Sequence, residues 1–415
     1  MRGLLLPAAR SQETPHHPGP DGVAEGITDT RSPFAVFDDP AGEDFSLGVE
    51  EEFFVVDAET RALRGDADQV LADARPPELG ELDAELKRSQ VEIGSAVCRS
   101  IDELRSSLVA LRRSLGEAAG RRGARLAALG IHPFATAWDD PGITPKAAYL
   151  RLDATYGLLT EEQTVCGCHV HVGVRDPELA IEVMNRCRRW IPVLLALTAN
   201  SPYWMGQDTR YASFRTQVFH RWPTAGIPEH LEGRAGYDQV LDQLTASGSI
   251  DGPARLYWDI RPSARYPTLE FRAGDVLTTV DEAVAYAVIV RALVETAHGE
   301  AVAEAPYEPP RAELLRAALW RASRFGLSEQ LTDVARARLR PGPEVLGTLL
   351  EHIRPVLEAR GEWEHVVATT SFVRREGTGA ERQRRSRGPE GTDADAQGLH
   401  AVVDRAVTAT LARTT

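Results

Sequence analysis

The sequence predicts an α+β protein, and three features support this. Short segments rich in β-branched and aromatic residues alternate apolar and polar positions, which is typical of strands with one buried face. Segments of unequal length with apolar residues three and four apart, a spacing typical of helices, lie between these strand-like segments. No Pro-, Gly- or Ser-rich linker interrupts residues 45–375. Strands interleaved with such helices favour α+β architecture, and the missing linker favours one domain over 45–375.

The first half of the chain contains the two clearest strands. Residues 1–44 are rich in Pro, Gly, Asp and Thr without periodicity and are predicted to be a disordered extension. A strand follows at 45–57 (FSLGVEEEFFVVD), and helical spacing then covers 101–129. LAALGIHPFA is predicted to be a strand running into a loop, and QTVCGCHVHVGV (163–174) is a second strong strand.

The second half is predicted to be mostly helical, with one further strand. Residues 259–276 (DIRPSARYPTLEFRAGDV) predict a turn and a third strand, and 376–398 are polar and Gly-rich, which predicts a flexible loop. The C-terminal unit 399–415 should be mainly a short helix, about 399–412. The other predicted helices cover about 177–200, 280–299, 311–326 and 343–360.

The composition excludes several classes of protein. The 415 residues include 47 Lys and Arg against 61 Asp and Glu, a formal net charge of −14, which argues against nucleic acid or an anionic membrane as a partner. No apolar run approaches the roughly 20 residues of a membrane-spanning helix. The lysines are Lys87 and Lys146 and neither follows a glycine, so a Walker-type phosphate loop is excluded.

The cysteines indicate a reducing compartment. The four cysteines are too few for a disulfide framework in a chain of 415 residues, and no secretory signal is visible. We therefore expect reduced thiols and a cytoplasmic protein.

Three consecutive carboxylates lie within the first strand. Strand alternation places Glu50 and Glu52 on one face and Glu51 on the other. Two carboxylates about 4 Å apart repel each other by about 4 kcal/mol at an effective dielectric constant of about 20. A bound cation would remove that repulsion, whereas solvated glutamates at a strand edge would explain the pattern equally well.

The second strand offers histidines and cysteines. Cys166, Cys168, His169 and His171 resemble a zinc site in composition, but alternation places His169 and His171 on one face and the cysteines on the other. The cysteines are therefore predicted to be core thiols. The histidine pair is as consistent with metal ligands as with core groups.

Further carboxylates occur in similar strand-like runs. Glu270 and Arg272 lie two residues apart, and Glu92 follows Glu85 by seven. Several carboxylates with one histidine favour magnesium or manganese over zinc. Such a site, together with arginines, suits nucleotide phosphates. The arginines of the loop-like, aromatic-rich stretches are Arg210, Arg215, Arg221, Arg261 and Arg265, and for Arg221 we expect a surface ion pair.

Several segments together resemble the YbdK-type carboxylate–amine ligases, also named type 2 glutamate–cysteine ligases. The resemblance covers about 45–384 and rests on GVEEEFFVVD, QVEIGS, CGCHVHVGV, LLALTANSPYWMGQDTRYASFRTQVFHRWPTAG, DIRPSARYPTLEFRAGDV and GTGAERQR. It implies a glutamine synthetase-like antiparallel sheet that forms a funnel with helices outside. It also implies ligation of small-molecule substrates through an acyl phosphate, with ATP and Mg²⁺ (or Mn²⁺), and by default glutamate and cysteine as substrates. It allows a homodimer.

The same resemblance assigns roles to individual residues. Arg272, with Arg261, would stabilise the transferring phosphate. The metal ligands it implies are Glu50, Glu52, Glu92, His169 and Glu270, with Glu85 less closely matched. The substrate or nucleotide contacts it implies are Arg215, Arg261, Arg265, Gly377, Gly379 and Arg382.

Two alternatives from other classes remain. The carboxylates and histidine could form a metal-dependent amide hydrolase that needs no ATP. The chain could also be a non-catalytic binding protein derived from a ligase, although every expected metal position holds a competent ligand.

Overall fold

A computed structural model describes residues 43–75, 78–136, 138–388 and 395–412. The predicted disordered extension 1–44 lies outside these residues except for its last two positions. The main sheet runs in the order β2–β3–β1–β5–β9–β8, and β4 also pairs with β1. Its strands are β1 (Leu47–Asp57), β2 (Gly80–Ala84), β3 (Gln90–Ser95), β4 (Ala124–Ala127), β5 (Gly167–Gly173), β8 (Ile260–Pro262) and β9 (Thr268–Asp275).

Two small two-stranded sheets complete the strands of the described residues. They are formed by β6 (Tyr203–Trp204) with β7 (Gln207–Asp208), and by β10 (Gln330–Asp333) with β11 (Arg338–Pro341). Neighbouring strands pair antiparallel throughout. The α+β prediction is therefore confirmed.

The described residues also form fourteen α-helices. They are α1 (Ala67–Asp73), α2 (Ile101–Arg121), α3 (Ala147–Tyr156), α4 (Leu158–Glu161), α5 (Pro177–Cys187), α6 (Ile191–Thr198), α7 (Phe214–Phe219), α8 (Gly233–Ala246), α9 (Val280–Val302), α10 (Ala312–Phe325), α11 (Gly342–Ala359), α12 (Trp363–Glu376), α13 (Gly379–Arg387) and α14 (Asp395–Thr410). None of these helices is both long and apolar enough to cross a membrane.

The hydrophobic core explains why α2 lies on the sheet. Leu104, Leu108, Leu111 and Leu115, spaced four, three and four apart, are all fully buried. They belong to a continuous core that also includes strand residues and Val403 of the C-terminal helix α14. Along Leu47–Phe53 this core covers one face of β1, and the opposite face carries Glu50 and Glu52 before Phe54 and Val56 return to the core.

Two predicted helices were wrong in their extent. The helix predicted over 101–129 ends at Arg121, because Gly123 adopts a left-handed φ of 68° and the chain then enters β4. The helix predicted over 177–200 is divided by a 3₁₀ turn at Arg188–Trp190. Pro192 occupies the first turn of α6, where its missing N–H does no harm but where it breaks a continuous helix.

The flexible loop predicted over 376–398 was wrong for its first part. Residues Gly379–Arg387 form α13, which starts with a capping box between Thr378 and Glu381. Gln383 on this helix donates to the backbone oxygen of Asn200 at 2.8 Å, which anchors the helix to the fold. The polar composition concealed a helix that side-chain hydrogen bonds anchor to the fold. Residues 389–394 of the predicted loop lie outside the described residues, and its last four residues, 395–398, form the start of α14.

Candidate active site

Polar side chains meet on the sheet face opposite the core, in rows set by strand register. Three neighbouring strands supply most of them, because alternate residues of each strand point to this face. The rows of directly opposed residues are Glu92 with Glu52, Glu50 with His169, and His171 with Glu270 and Arg261. The predicted common face of Glu50 and Glu52 is thus the face that also receives the histidines.

Glu50 is surrounded by the two histidines of β5. His169 Nδ1 lies 3.1 Å from one carboxylate oxygen of Glu50, and His171 Nε2 lies 3.4 Å from the other. Burial would raise the pKa of Glu50, but His171 and His169 bring it well below its usual value. The family resemblance did not include His171. Its position two residues after His169 was the signal that could have added it.

Two groups of side chains offer ligand atoms close enough together to hold a metal ion. Glu50, His169 and Glu270 form one group, and Glu52, Glu92 and His169 form the other, with ligand atoms within 4.8 Å of one another in each. His169 Nε2 is buried without a hydrogen-bond partner. A carboxylate-rich set with one imidazole nitrogen fits a hard divalent cation such as Mg²⁺ or Mn²⁺.

Burial and neighbouring carboxylates in this cluster raise the pKa of both Glu85 and Glu92. Burial and the charge of Glu52 raise the pKa of Glu85 to about 7. Burial and the charge of Glu50 raise the pKa of Glu92 well above its usual value. Glu85 accepts a hydrogen bond from the Tyr149 hydroxyl at 3.2 Å and is in neither ligand group. The structure therefore places Glu85 beside the predicted metal ligands rather than among them.

The two predicted catalytic arginines both pair with Glu270. Arg261 Nε donates to Glu270 at 2.8 Å, and Arg261 Nη1 donates to the backbone oxygens of Ala254 and Leu256 at 2.9 and 2.7 Å. Arg272 forms an ion pair with the other Glu270 oxygen, but its buried Nε has no partner. Arg261 therefore uses its donors on Glu270 and the backbone, whereas the Nε–H of Arg272 is left to donate to a ligand.

These contacts set the charges of the pair. Burial alone would raise the pKa of Glu270, but Arg261 and Arg272 lower it strongly. Burial would lower the pKa of Arg272, but Glu270 raises it. Both groups are accordingly charged at neutral pH, and Arg272 presents a fixed positive charge to the cluster.

Arg215 lies at the edge of the cluster, packed against β5. Its Nη2 and Nη1 lie 3.4 Å from the backbone oxygens of Arg272 and Ala273. A Cβ atom on Gly167 would lie only 2.2 Å from Arg215 Nη2, and the Gly167 N–H donates to Glu52 at 2.6 Å. Gly167 thus brings Arg215 and Glu52 together. It was not singled out from the sequence, although a glycine within a strand often marks such a close approach.

Arg265 is exposed in the turn between β8 and β9. The neighbouring Tyr266 packs its ring edge against His171, with ring centroids 5.9 Å apart. Arg265 therefore lies near the rim of the site rather than within it. Arg221 forms the predicted ion pair, with Glu162.

Gly377, Gly379 and Arg382 are not brought to the carboxylate cluster. Arg382 is 4% exposed and donates to Glu282 at 2.6 Å and to the Gly377 backbone oxygen at 3.0 Å. A Cβ atom on Gly379 would lie 2.1 Å from Asn200 Oδ1. This segment is therefore a packed connection between α13 and the Asn200 loop.

The cysteines play no part in the metal groups. Cys166 and Cys168 are buried, as predicted for core thiols, and Cys98 and Cys187 are buried too; none of the four forms a disulfide. Cys166 Sγ accepts a hydrogen bond from Gln90 at 3.3 Å.

Comparison with known proteins agrees with this geometry. The family model of Glutamate-cysteine ligase family 2 matches residues 46–405. A Rhodopirellula baltica protein named "Putative glutamate--cysteine ligase 2" is 42% identical over 82% of this chain and 92% of its own length. A Frankia alni protein named "Putative glutamate--cysteine ligase 2-2" is 44% identical over 82% of this chain and 91% of its own length.

Two solved structures share the fold at low sequence identity. The glutamate–cysteine ligase of Francisella tularensis in complex with AMP has a TM-score of 0.61 at 12% identity and covers 90% of both chains. The bifunctional glutathione synthetase of Pasteurella multocida has a TM-score of 0.62 at 18% identity. The match covers 91% of this chain, which spans about half (53%) of that bifunctional protein.

Proposed function

Because the chain belongs to glutamate–cysteine ligase family 2, we propose that it joins the γ-carboxylate of L-glutamate to the amine of L-cysteine. Family membership makes it an ATP-dependent carboxylate–amine ligase. In the proposed reaction a γ-carboxylate oxygen attacks the terminal phosphorus of ATP and ADP leaves. The amine nitrogen then attacks the acyl carbon, phosphate leaves, and the nitrogen loses a proton to give γ-glutamylcysteine.

The ligand groups around His169 support the proposed metal requirement. Glu50, Glu52, Glu92, His169 and Glu270 would hold Mg²⁺ or Mn²⁺, and the cation would neutralise charge on the phosphate oxygens. The same charge would remove the repulsion that raises the pKa of Glu92.

Arg272 is the residue best placed to stabilise the phosphoryl group in transfer. Its charge is fixed by Glu270, and its unpaired Nε leaves a hydrogen-bond donor for a phosphate oxygen. Arg261 acts through Glu270 and is a positioning residue. Arg215 lies against the backbone of Arg272 and adds positive charge at the end of β9.

The observation that carries the proposal is the combination of two carboxylate–histidine ligand groups with an arginine that keeps a free donor. The experiment measures ADP release with ATP, Mg²⁺ and glutamate, with and without cysteine. The variants are Glu50→Gln and Arg272→Ala. Glu59→Gln is the matched control, since Glu59 is an exposed carboxylate just beyond β1.

We expect cysteine-dependent ADP release from the wild type and the control, and its loss in both site variants. ADP release that depends on a different amine would keep the ligase and replace the acceptor. Release of an amine from an amide without nucleotide would instead support a hydrolase. Absence of ADP release with every amine would contradict the proposal.

A further inference from the structure

A cavity lined by α7, the loop after it and α10 lies near the candidate site. Its volume is about 440 Å³, within the range of small-molecule pockets. Apolar walls come from Ile227, Leu315, Leu319 and Trp320. The polar lining includes His220, together with Glu229 and Arg316, which are both exposed.

His220 is held in this cavity by a buried carboxylate. Its Nε2 lies 3.1 Å from Asp259 Oδ1, and Asp259 is 2% exposed. This contact favours the tautomer with the proton on Nε2, which leaves Nδ1 as an acceptor for a ligand N–H. Asp259 Oδ2 is buried without a hydrogen-bond partner, a costly arrangement that a ligand or water donor would relieve.

Helix α7 contributes side chains both to the cavity and to the surroundings of the carboxylate cluster. Arg215 and Phe219 share the side of this helix near the cluster, where the Arg272 guanidinium lies 5.9 Å from the Phe219 ring. Thr216, Gln217 and His220 line the cavity instead. Asp259, the partner of the cavity residue His220, and the cluster residue Arg272 are neighbours, because the Arg272 backbone N–H donates to the Asp259 backbone oxygen at 2.8 Å.

We propose that this cavity binds the amine substrate, an amino acid, and that His220 accepts a hydrogen bond from its ammonium group. The inference rests on the proposed ligase function and deepens it. Glu229 and Arg316 supply charges that complement an ammonium and a carboxylate group. Arg316 is exposed at the cavity, where its guanidinium can reach a ligand carboxylate. The backbone hydrogen bond from Arg272 to Asp259 and the contact of Asp259 with His220 bring the cavity to the strand that carries Arg272.

Hydroxylamine separates this inference from the proposed function, because so small a nucleophile can trap an acyl phosphate without a pocket of its own. The assay measures glutamyl hydroxamate formation with ATP, Mg²⁺ and hydroxylamine. In parallel, ADP release is measured with each of the common L-amino acids as acceptor. The wild type should form hydroxamate and use at least one amino acid.

Two substitutions on α10 form a matched pair. Ala312 lines the cavity, so Ala312→Trp fills it, whereas Ala317 is exposed on the same helix and Ala317→Trp does not. We expect Ala312→Trp and His220→Ala each to raise the KM for the amino acid about tenfold or more, as expected for loss of a hydrogen bond to a charged group. Hydroxamate formation should change less than about threefold, and Ala317→Trp should resemble the wild type.

Each outcome is decisive. No hydroxamate from the wild type would remove the proposed function and this inference with it. Hydroxamate without any amino-acid acceptor, or an unchanged amino-acid KM in both cavity variants, would overturn the inference and leave the ligase intact. A parallel fall in hydroxamate and amide formation would assign the cavity a structural role.

Discussion

Glu51 and Glu52 are adjacent in β1 but lie in opposite electrostatic surroundings. Glu51 is fully buried on the core face, and Arg112 donates to its two carboxylate oxygens at 2.9 and 2.6 Å. The remaining Arg112 N–H groups donate to the backbone oxygens of Leu277, Thr278 and Thr410 at 3.1–3.2 Å. The charge on this face is therefore completely paired within the chain.

Glu52 faces other carboxylates instead. Glu92 lies directly opposite Glu52 in the sheet, and after burial the charge of Glu52 is the next cause of the raised pKa of Glu85. The arginines of this face, Arg261 and Arg272, both pair with Glu270. A buried carboxylate with a counter-ion in the chain, such as Glu51, is suited to a structural role. A group of buried carboxylates without enough counter-ions, such as that around Glu52, is suited to a bound cation.

The largest expected effect on stability is on the core face. Glu51→Gln leaves Arg112 buried without its counter-ion and should cost about 3–5 kcal/mol in the free energy of unfolding. Urea denaturation measures this, with the exposed Glu59→Gln as a control expected to change by less than about 0.5 kcal/mol. A loss in Glu51→Gln no larger than that of the control would remove the contrast between the faces.

The largest expected effect on turnover is on the other face. Arg272→Ala should lower kcat for ADP release by about 10²–10³, the cost of removing one donor from a developing charge. Thermal unfolding checks that the fold is retained. If Arg272→Ala raises only the KM for ATP and leaves kcat unchanged, Arg272 binds the ground state and does not stabilise the transfer.

The carboxylate face should also show a pH dependence in metal-free protein. Because the pKa of Glu85 is raised from 4.5 to about 7, its neutral form stabilises the folded state fully below pH 4.5. That stabilisation is lost as the pH rises through about 7. Glu85→Gln should therefore gain stability relative to the wild type between pH 5 and pH 8, on the order of 1–3 kcal/mol.

Urea unfolding in EDTA at both pH values measures this difference. Glu59→Gln is a suitable control, since Glu59 is an exposed carboxylate outside the cluster. The same pH dependence in Glu85→Gln and the wild type would show that Glu85 is not strained by its neighbours.

A smaller effect is expected where the cluster meets Arg215. Gly167→Ala forces Arg215 Nη2 to move, because the added Cβ would lie 2.2 Å away, and should cost about 1–3 kcal/mol. Gly347→Ala is the control, since nothing lies within 4 Å of its Cβ position within α11 and the change should stabilise the helix by about 0.5–1 kcal/mol. Equal thermal midpoints for the two variants would contradict the packing of Arg215 against β5.

Period-two alternation accounts for the part of the site that could be predicted from the sequence. It placed Glu50 with Glu52 on one face of β1 and His169 with His171 on one face of β5. The structure brings these strands together as direct neighbours in the sheet. The family resemblance supplied Glu92 and Glu270. Both are strand residues, and they lie directly opposite Glu52 and His171 on the same face of the sheet.

The remaining features depend on long-range packing that no local pattern records. Arg382 looked like a loop cation, but Glu282, one hundred residues earlier, pairs with it in the interior. His220 directly follows α7 and Asp259 directly precedes β8, and their side chains meet although they are 39 residues apart in the chain. A capping box between Thr378 and Glu381 starts α13, whose polar sequence has no apolar periodicity that would predict a helix.

The most direct test of the contrast between the two faces is the effect of Mg²⁺ on thermal unfolding of the wild type and Glu52→Gln. If Glu52 belongs to a cation site, Mg²⁺ should stabilise the wild type, by about 2.7 kcal/mol at one hundred times its dissociation constant. Glu52→Gln should unfold at or above the wild-type midpoint without metal and gain little from Mg²⁺. An equal Mg²⁺ shift in both proteins, or a less stable metal-free Glu52→Gln, would contradict the account.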